Sequence, residues 1–216
     1  GGVDPSSKAS ATITSRDFLN HLLGFDGVLK NLMAFESYDK ASQKSNYNKS
    51  MYDTEKESWK DGMRPTAQQV YQAYLSSLSI RIDKFTSFIN IDISHGSPIF
   101  AKEFLELIIQ EVNNISRIRD LNDAEESLTY LYGQLGSIQQ SEVKVSVSQI
   151  IESQLKKQMM ASIKKNYILE PIDSAFIPEL RSSPQRTKIV ITWTIIGFIL
   201  SIIMVIVRHQ TLKYFK

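Results

Sequence analysis

Cysteine is absent from the 216-residue sequence, which excludes disulfides, thiolate metal sites and cysteine nucleophiles. An excess of one charge is also absent, since 25 Lys and Arg stand against 23 Asp and Glu for a net charge of +2. The cations are scattered among the acids, so we expect no nucleic-acid partner. A hydrophobic content of 42% with 22% charged residues is typical of a globular chain rather than a disordered one.

Recognised catalytic motifs are missing too, including a phosphate loop, a nucleophile elbow and a glycine-rich dinucleotide fingerprint. The histidines, His21, His95 and His209, lie far apart and have no acidic or histidine neighbours at ligand spacing. The acidic residues within 123–126 are better interpreted as a helix N-terminus than as catalytic carboxylates. We therefore expect no catalytic, metal or cofactor site, no cofactor, and a protein that is not an enzyme.

An uncharged apolar run near the end of the chain extends from Ile189 to Val207. As a helix it would be about 28 Å long, close to the roughly 30 Å hydrocarbon thickness of a bilayer. The run predicts a transmembrane helix over 188–208, followed by a tail over 209–216. Three cations lie close to each side of it, so charge alone leaves the orientation open.

The first ninety-six residues predict a small α/β base. Ser15 precedes an amphipathic helix, and Pro65 opens a second helix at its first turn. The polar segment 38–64 predicts a long surface loop that can include one short turn of helix. Isoleucines alternate with polar residues over 89–93, which predicts a strand, and 80–82 is its expected partner. Residues 1–7 are loop-like and lack an initiator Met, which favours a truncated chain.

A long helical hairpin is predicted over 97–168. Ser97 and Pro98 form a strong helix start, and no proline follows until Pro171. Apolar residues recur at steps of three and four, with a tip expected between Gly133 and Ser141 or a break at 122–123. An arm of about 60 Å is too long for the rest of the chain to cover its apolar stripe, so we expect self-association. A folded-back helical bundle is the alternative. The predicted oligomer contacts are Leu128, Leu131, Leu135, Val147, Ile151 and Leu155.

Residues 169–187 predict a spacer. The segment from Tyr167 to Leu169 is expected to return to the sheet of the base as a strand. Pro171, Pro178 and Pro184 follow it, and proline fixes φ and removes an amide donor. We therefore expect an extended, stiff connection to the last helix.

Four stretches of the sequence carry motifs in a characteristic order. Residues 15–19 contain an "SRDF" helix start, and residues 83–98 with Ala101 match a strand leading into an "hxSPxxA" helix. Residues 149–161 match a returning helix, and 171–186 match a proline-rich entry to a second transmembrane helix. In these stretches the sequence resembles the Wzz family, the class 1 polysaccharide co-polymerases that set O-antigen chain length in lipopolysaccharide. The motif and structural positions are Ser97, Pro98, Ala101, Pro171, Pro178, Pro184 and Gly197.

The resemblance implies an α+β fold, with a membrane-proximal α/β base, a projecting helical hairpin and a C-terminal transmembrane helix. It implies a bacterial inner-membrane protein whose bulk is periplasmic and whose C-terminus is cytoplasmic. A ring-shaped homo-oligomer would act with the Wzy polymerase on undecaprenyl-linked glycan as a non-catalytic regulator of O-antigen chain length. Ser174 and the single glycine of the last helix, Gly197, depart from the family pattern. The first transmembrane helix of the family is absent, which again favours truncation.

The alternative hypothesis is a membrane-tethered periplasmic sensor or scaffold with a self-associating helical rod. It would need a signalling module, which this sequence does not contain. A glycan-polymerising enzyme is poorly supported, because such enzymes have many membrane spans and one is predicted here.

Overall fold

The computed structural model describes residues 4–178 and 186–214 and divides the chain into two units, Gly1–Ile177 and Pro178–Lys216. The described residues form seven helices and six strands, an α+β fold. The base contains α1 (Pro5–Ile13), α2 (Arg16–Leu22), α3 (Val28–Ala34), β1 (Phe35–Asp39), β2 (Lys44–Tyr47), β3 (Tyr52–Asp53), β4 (Ser58–Trp59), α4 (Ala67–Ser77), β5 (Leu78–Ile82) and β6 (Ile89–Ile93). The remaining helices are α5 (Pro98–Leu135), α6 (Ser141–Ile163) and α7 (Arg186–Tyr214).

The prediction of a transmembrane helix over 188–208 is wrong. Across the described parts of the chain, no helix combines the length and the apolar character needed to cross a bilayer. The apolar run that suggested this helix lies in α7, and its described side chains from Ile189 to Ile202 are exposed.

The hydrophobic core of the base forms where α1, α2 and α4 pack around the first half of α5. Its innermost side chains are Ile13, Phe18, Leu22, Tyr74, Phe104, Ile108 and Val112. Two tyrosines of α4 hold the end of α1, since Tyr74 donates to the Ile13 carbonyl and Tyr71 to the Thr14 carbonyl, both at 2.8 Å. These carbonyls end a helix and would otherwise lack donors. Burial raises the pKa of Tyr74 well above its usual value.

Of the two helix starts predicted in the base, one is correct. Ser15 caps α2 by accepting the Phe18 N–H at 3.2 Å, as predicted. Pro65 does not lie in the first turn of α4; Thr66 caps that helix, together with Gln69, in a capping box. The loop-like start is wrong from residue 4 onwards, because Asp4 caps α1 and Pro5 occupies its first turn.

The β5–β6 hairpin confirms the predicted strand pair. The strands are antiparallel, with Ile80 opposite Ile91 and Ile82 opposite Ile89. Alternate residues of both strands are half-buried, which is the period of two that the isoleucines indicated. The base holds three separate two-stranded sheets rather than the one expected sheet.

Two predictions about irregular segments are wrong. Residues 38–64 contain the small β1–β2 and β3–β4 ladders where a loop with a helical turn was expected. The segment from Tyr167 to Leu169 is not a strand, because its backbone bonds to the side chain of Asn113 instead of to another strand.

Helices α5 and α6 form a long helical hairpin that ends at Ile163, earlier than the predicted 168. Helix α5 has 38 residues, about 57 Å at a rise of 1.5 Å per residue, and it runs unbroken through 122–123. The acidic residues within 123–126 therefore lie mid-helix and not at a helix N-terminus. The tip spans 136–140, and α6 packs back against α5. Gln140 precedes α6 without a side-chain cap, and Ser141 is the first residue of the helix.

The start of α5 is shaped by three consecutive residues. Ser97 is buried and accepts the Phe100 N–H at 3.3 Å, and Pro98 occupies the first turn, where its missing N–H costs nothing. A Cβ on Gly96 would lie 2.7 Å from Cζ of Phe35, so β1 can approach this turn only because residue 96 is glycine.

Candidate functional site

The inner seam of the hairpin consists of the side chains that α5 and α6 turn towards each other. Ala124 and Leu128 of α5 are buried, as are Ile151 and Ala161 of α6. Leu128 and Ile151 were predicted to contact another copy of the chain, but within one protomer they are already 93% and 92% covered. The other predicted contacts differ in exposure: Leu131, Leu135 and Val147 are half-buried, and Leu155 is exposed.

A second apolar face of α6 is exposed, fully or in part, within the described part of the chain. Leu155, Met159 and Ile163 are 38%, 62% and 78% exposed. Their spacing of four residues places them on one side of the helix, and we call these three residues the outer stripe. The sequence placed Leu155 together with Ile151 among the oligomer contacts, but in the structure Ile151 is buried and Leu155 is exposed. Residues four apart do not lie exactly above one another in a helix of 3.6 residues per turn, so a series of such steps moves gradually around the helix.

A charged cluster joins the hairpin to the base at Asp120. The carboxylate accepts from Lys8 Nζ of α1 at 3.0 Å and from the Tyr167 hydroxyl at 2.9 Å, and Lys157 Nζ of α6 lies 3.3 Å away. Burial raises the pKa of Asp120, but the hydrogen bonds from Lys8 and Tyr167 and the nearby cations outweigh it and lower the pKa overall. Burial and the Asp120 charge raise the pKa of Tyr167 to about 12.

This cluster was not found from the sequence. Asp120 is buried on the inner face of α5, yet its partners lie up to 112 residues away along the chain. No local pattern distinguishes such an aspartate from one on a solvated helix face. The cluster fixes two helices and the following segment to α5 at one point, so its role is to position the hairpin.

Asn113 provides a second connection. Its Oδ1 accepts the N–H groups of Ile168 and Leu169, and its Nδ2 donates to the Leu169 carbonyl, all at 2.8 Å. One amide side chain thus satisfies three buried backbone groups, which would otherwise each carry a desolvation cost. Leu169 is thereby held in the core of the base.

The histidines within the described residues have structural partners. His21 Nε2 lies 2.6 Å from Oε2 of Glu111, a carboxylate buried on α5. His95 packs against the rings of Phe35 and Phe100. Its Nε2 donates to the Asn31 carbonyl and its Nδ1 accepts the Ser97 N–H, each at 3.0 Å.

These two bonds at His95 require the neutral imidazole, with the proton on Nε2. Burial lowers the pKa of His95, and the hydrogen bonds offset part of that effect. The side chain of His209 lies outside the described residues. Across the described part of the chain, no three His, Asp or Glu side chains are placed to hold a metal ion.

An open groove of about 290 Å³ lies between α3 and the β3–β4 ladder. It is lined by the turn 23–27, Lys30, Tyr52, Glu57 and Trp59. Lys30 and Glu57 face each other at 3.8 Å, and Trp59 meets Tyr52 edge to face at 5.4 Å. Tyr52 is buried and Trp59 is half-buried, so these aromatic side chains pin the 38–64 segment to the base.

The remaining predicted motif positions fall in three places. Ala101 lies in the first turn of α5, where its N–H bonds to the Ser97 carbonyl at 3.0 Å. Pro171 and Pro178 lie in a stretch without helix or strand, while Pro184 is outside the described residues. Gly197 is in α7, and a Cβ there would meet no atom within 4 Å.

No protein-family model matches the sequence, and no curated protein is similar to it.

Proposed function

We propose that this chain is a non-catalytic regulator of O-antigen polysaccharide chain length. In this proposal it acts in the periplasm, at the bacterial inner membrane, as a ring-shaped homo-oligomer. Its partners are a Wzy-type polymerase and the undecaprenyl-linked glycan that the polymerase extends. The proposal rests on the order of the sequence motifs that resemble the Wzz family, and one structural observation carries most of the further support.

That observation is the outer stripe on a braced hairpin. Leu155, Met159 and Ile163 present apolar surface that no part of the described chain covers. Burial of apolar side chains is worth about 25 cal/mol per Å², so repeated copies of this surface favour self-association. In a ring each interface is heterologous, so the stripe of one protomer would pack against a different surface of its neighbour.

The brace at Asp120 supports the same proposal. Lys8, Lys157 and Tyr167 hold α5 and α6 at a set position on the base. A regulator that counts glycan repeats by its size needs a hairpin whose direction is constant. An assembly of stiff hairpins provides a constant length without any chemical step.

The experiment removes the gene from the bacterium that carries it and separates its lipopolysaccharide by electrophoresis. We expect the modal distribution of O-antigen lengths to be lost, and to return when the intact gene is supplied. An unchanged ladder would contradict the proposal and favour the sensor or scaffold hypothesis.

Two variants test whether assembly of the oligomer determines the distribution of O-antigen lengths on the gel. Met159→Asp places a carboxylate in the outer stripe, and Ser153→Asp places the same group on another exposed face of α6. We expect Met159→Asp to reduce the oligomer mass in detergent and to disturb the ladder, while Ser153→Asp leaves both unchanged. Full oligomer mass in Met159→Asp would exclude the outer stripe as the contact.

A further inference from the structure

The tip of the β5–β6 hairpin displays two phenylalanines to solvent. The connecting residues are 83–88, and in them Phe85 is 100% exposed and Phe88 is 57% exposed. Large apolar side chains on a surface are common, but a phenylalanine with no contact at all gains nothing from the fold. A pair of such rings on one tip indicates a surface that is covered by something else.

The tip is held in one conformation by hydrogen bonds. Asp83 Oδ1 accepts the N–H groups of Phe85 and Thr86 at 2.8 and 3.0 Å. The backbone of Asp83 bonds to the Phe88 carbonyl at 2.8 Å and to the Ser87 N–H at 2.9 Å. From α1, the Ser6 hydroxyl donates to the Ser87 carbonyl at 2.7 Å.

One residue of the tip is strained. Ser87 has a φ of 58°, in the left-handed region that residues with a Cβ seldom adopt. Gln43 and Glu57 take the same conformation in the turns of the other two hairpins, so this conformation belongs to the turn. Together with the hydrogen bonds above, it fixes the backbone that carries Phe85 and Phe88.

We infer that this tip inserts into the boundary between the headgroups and the acyl chains of a lipid bilayer. Phe85 and Phe88 would enter the acyl region, and the ammonium of Lys84 would remain among the phosphates, as long cationic side chains do at membrane surfaces. The carboxylate of Asp83 accepts two backbone N–H groups within the tip, so its negative charge faces the backbone of the loop.

The area of the tip favours lipid over protein. Each phenylalanine can bury about 150–250 Å², so the two rings offer well under the roughly 800 Å² per partner of a stable protein interface. A bilayer needs no complementary shape and accepts a small apolar tip. The inference concerns attachment of the base to a membrane surface and does not depend on the chain-length function.

The absence of cysteine allows a direct test. Phe85→Cys gives a single thiol that can carry an environment-sensitive nitrobenzoxadiazole label. The full chain is mixed with vesicles of phosphatidylglycerol and phosphatidylcholine, in which the phosphatidylcholine carries brominated acyl chains. We expect the emission at position 85 to shift to the blue and to be quenched by the brominated lipid.

Tyr130→Cys is the matched control, because Tyr130 is an aromatic residue of α5 that is 67% exposed. A label there should keep the emission of an aqueous environment in the same vesicles. Lys84→Glu in the chain labelled at position 85 should weaken the quenching in anionic vesicles and leave it unchanged in purely zwitterionic ones.

Three results would overturn the inference. The label at position 85 could remain as aqueous as that at position 130 while the chain sediments with the vesicles. The chain could fail to sediment with the vesicles at all. The label could shift to the blue without vesicles and ignore brominated lipid, which would assign the tip to a second copy of the chain.

Discussion

Asn113 of α5 holds the backbone of Leu169 from both sides, since its Oδ1 accepts the Leu169 N–H and its Nδ2 donates to the Leu169 carbonyl, each at 2.8 Å. The two residues are 56 positions apart. The side-chain amide of Asn113 thus links α5 to the segment that follows α6.

Replacement of Asn113 should detach this segment. Asn113→Ala leaves three buried backbone groups without partners, and each unsatisfied group costs about 1–3 kcal/mol. We expect a large fall in the free energy of unfolding in denaturant and faster proteolysis within 164–178. Asn114→Ala is the control, because the side chain of Asn114 accepts from Arg117 of its own helix and its loss should change stability little. Equal stability of the two variants would contradict the role of Asn113.

Asp120 should make stability depend on pH in the acid range. Its folded-state pKa is lowered, so its contribution is fully present above the unfolded pKa of about 3.9 and is lost as the pH falls through the folded pKa. Asp120→Asn should therefore be less stable than wild type at pH 7. The difference should shrink as the pH is lowered below about 4, measured by urea unfolding at a series of pH values.

The control for Asp120 is an exposed pair on α5. Lys102 and Glu106 are 3.7 Å apart, four residues along the helix, and both are solvated. Glu106→Gln should cost at most about 0.5 kcal/mol, as exposed helix pairs do. A loss at Asp120 no larger than this one would mean that the cluster does not brace the hairpin.

Two buried serines of α5 should respond to alanine in opposite directions. Ser97→Ala removes the cap of the helix and should cost about 1 kcal/mol. Ser116 is 1% exposed, and its hydroxyl has no partner within the described residues. Ser116→Ala removes that unpaired group and adds helix propensity, so it should be neutral or stabilising. Thermal unfolding of both variants compares them directly, and a loss at Ser116 would point to an unseen partner of its hydroxyl.

Gly96 and Gly133 form another contrasting pair. A Cβ at Gly96 would collide with the ring of Phe35, so Gly96→Ala should destabilise by about 1–3 kcal/mol. Gly133 lies in α5 with nothing within 4 Å of a new Cβ, so Gly133→Ala should stabilise by up to about 1 kcal/mol. If Phe35→Leu reduces the cost at Gly96, the steric cause is established. A cost that stays the same in the double variant would assign it to the backbone.

The features that the sequence predicted correctly are those with local signals. The Ser97–Pro98 helix start depends on neighbouring residues, and the β5–β6 pair depends on alternation within a few positions. The helix over Pro5–Ile13 was missed, although Asp4 and Pro5 carry the same cap and proline signal, because only Ala9 and Ile13 of that helix are buried.

The polar positions inside the base could not be predicted in the same way. Glu111, Asn113 and Asp120 are of residue types usually found on solvated helix surfaces, but each is buried against a partner at least 47 residues distant. The polar segment 38–64 was predicted to be a loop because its strands are short and rich in Ser, Asn and Lys. The periodicity of hydrophobic residues predicts which face of a helix is buried. It does not predict which charged side chains contact each other.

Two long-range contacts, Lys8 with Asp120 and Asn113 with Leu169, are expected to form late in folding. Both contacts close loops of more than fifty residues, and such closures are slow compared with the local β5–β6 turn. During synthesis α1, α2 and α4 leave the ribosome long before α5 can fill the space between them. The side chains of Phe18 and Tyr74 therefore stay partly uncovered until the first half of α5 is present, and the core is complete only once Leu169 has joined it.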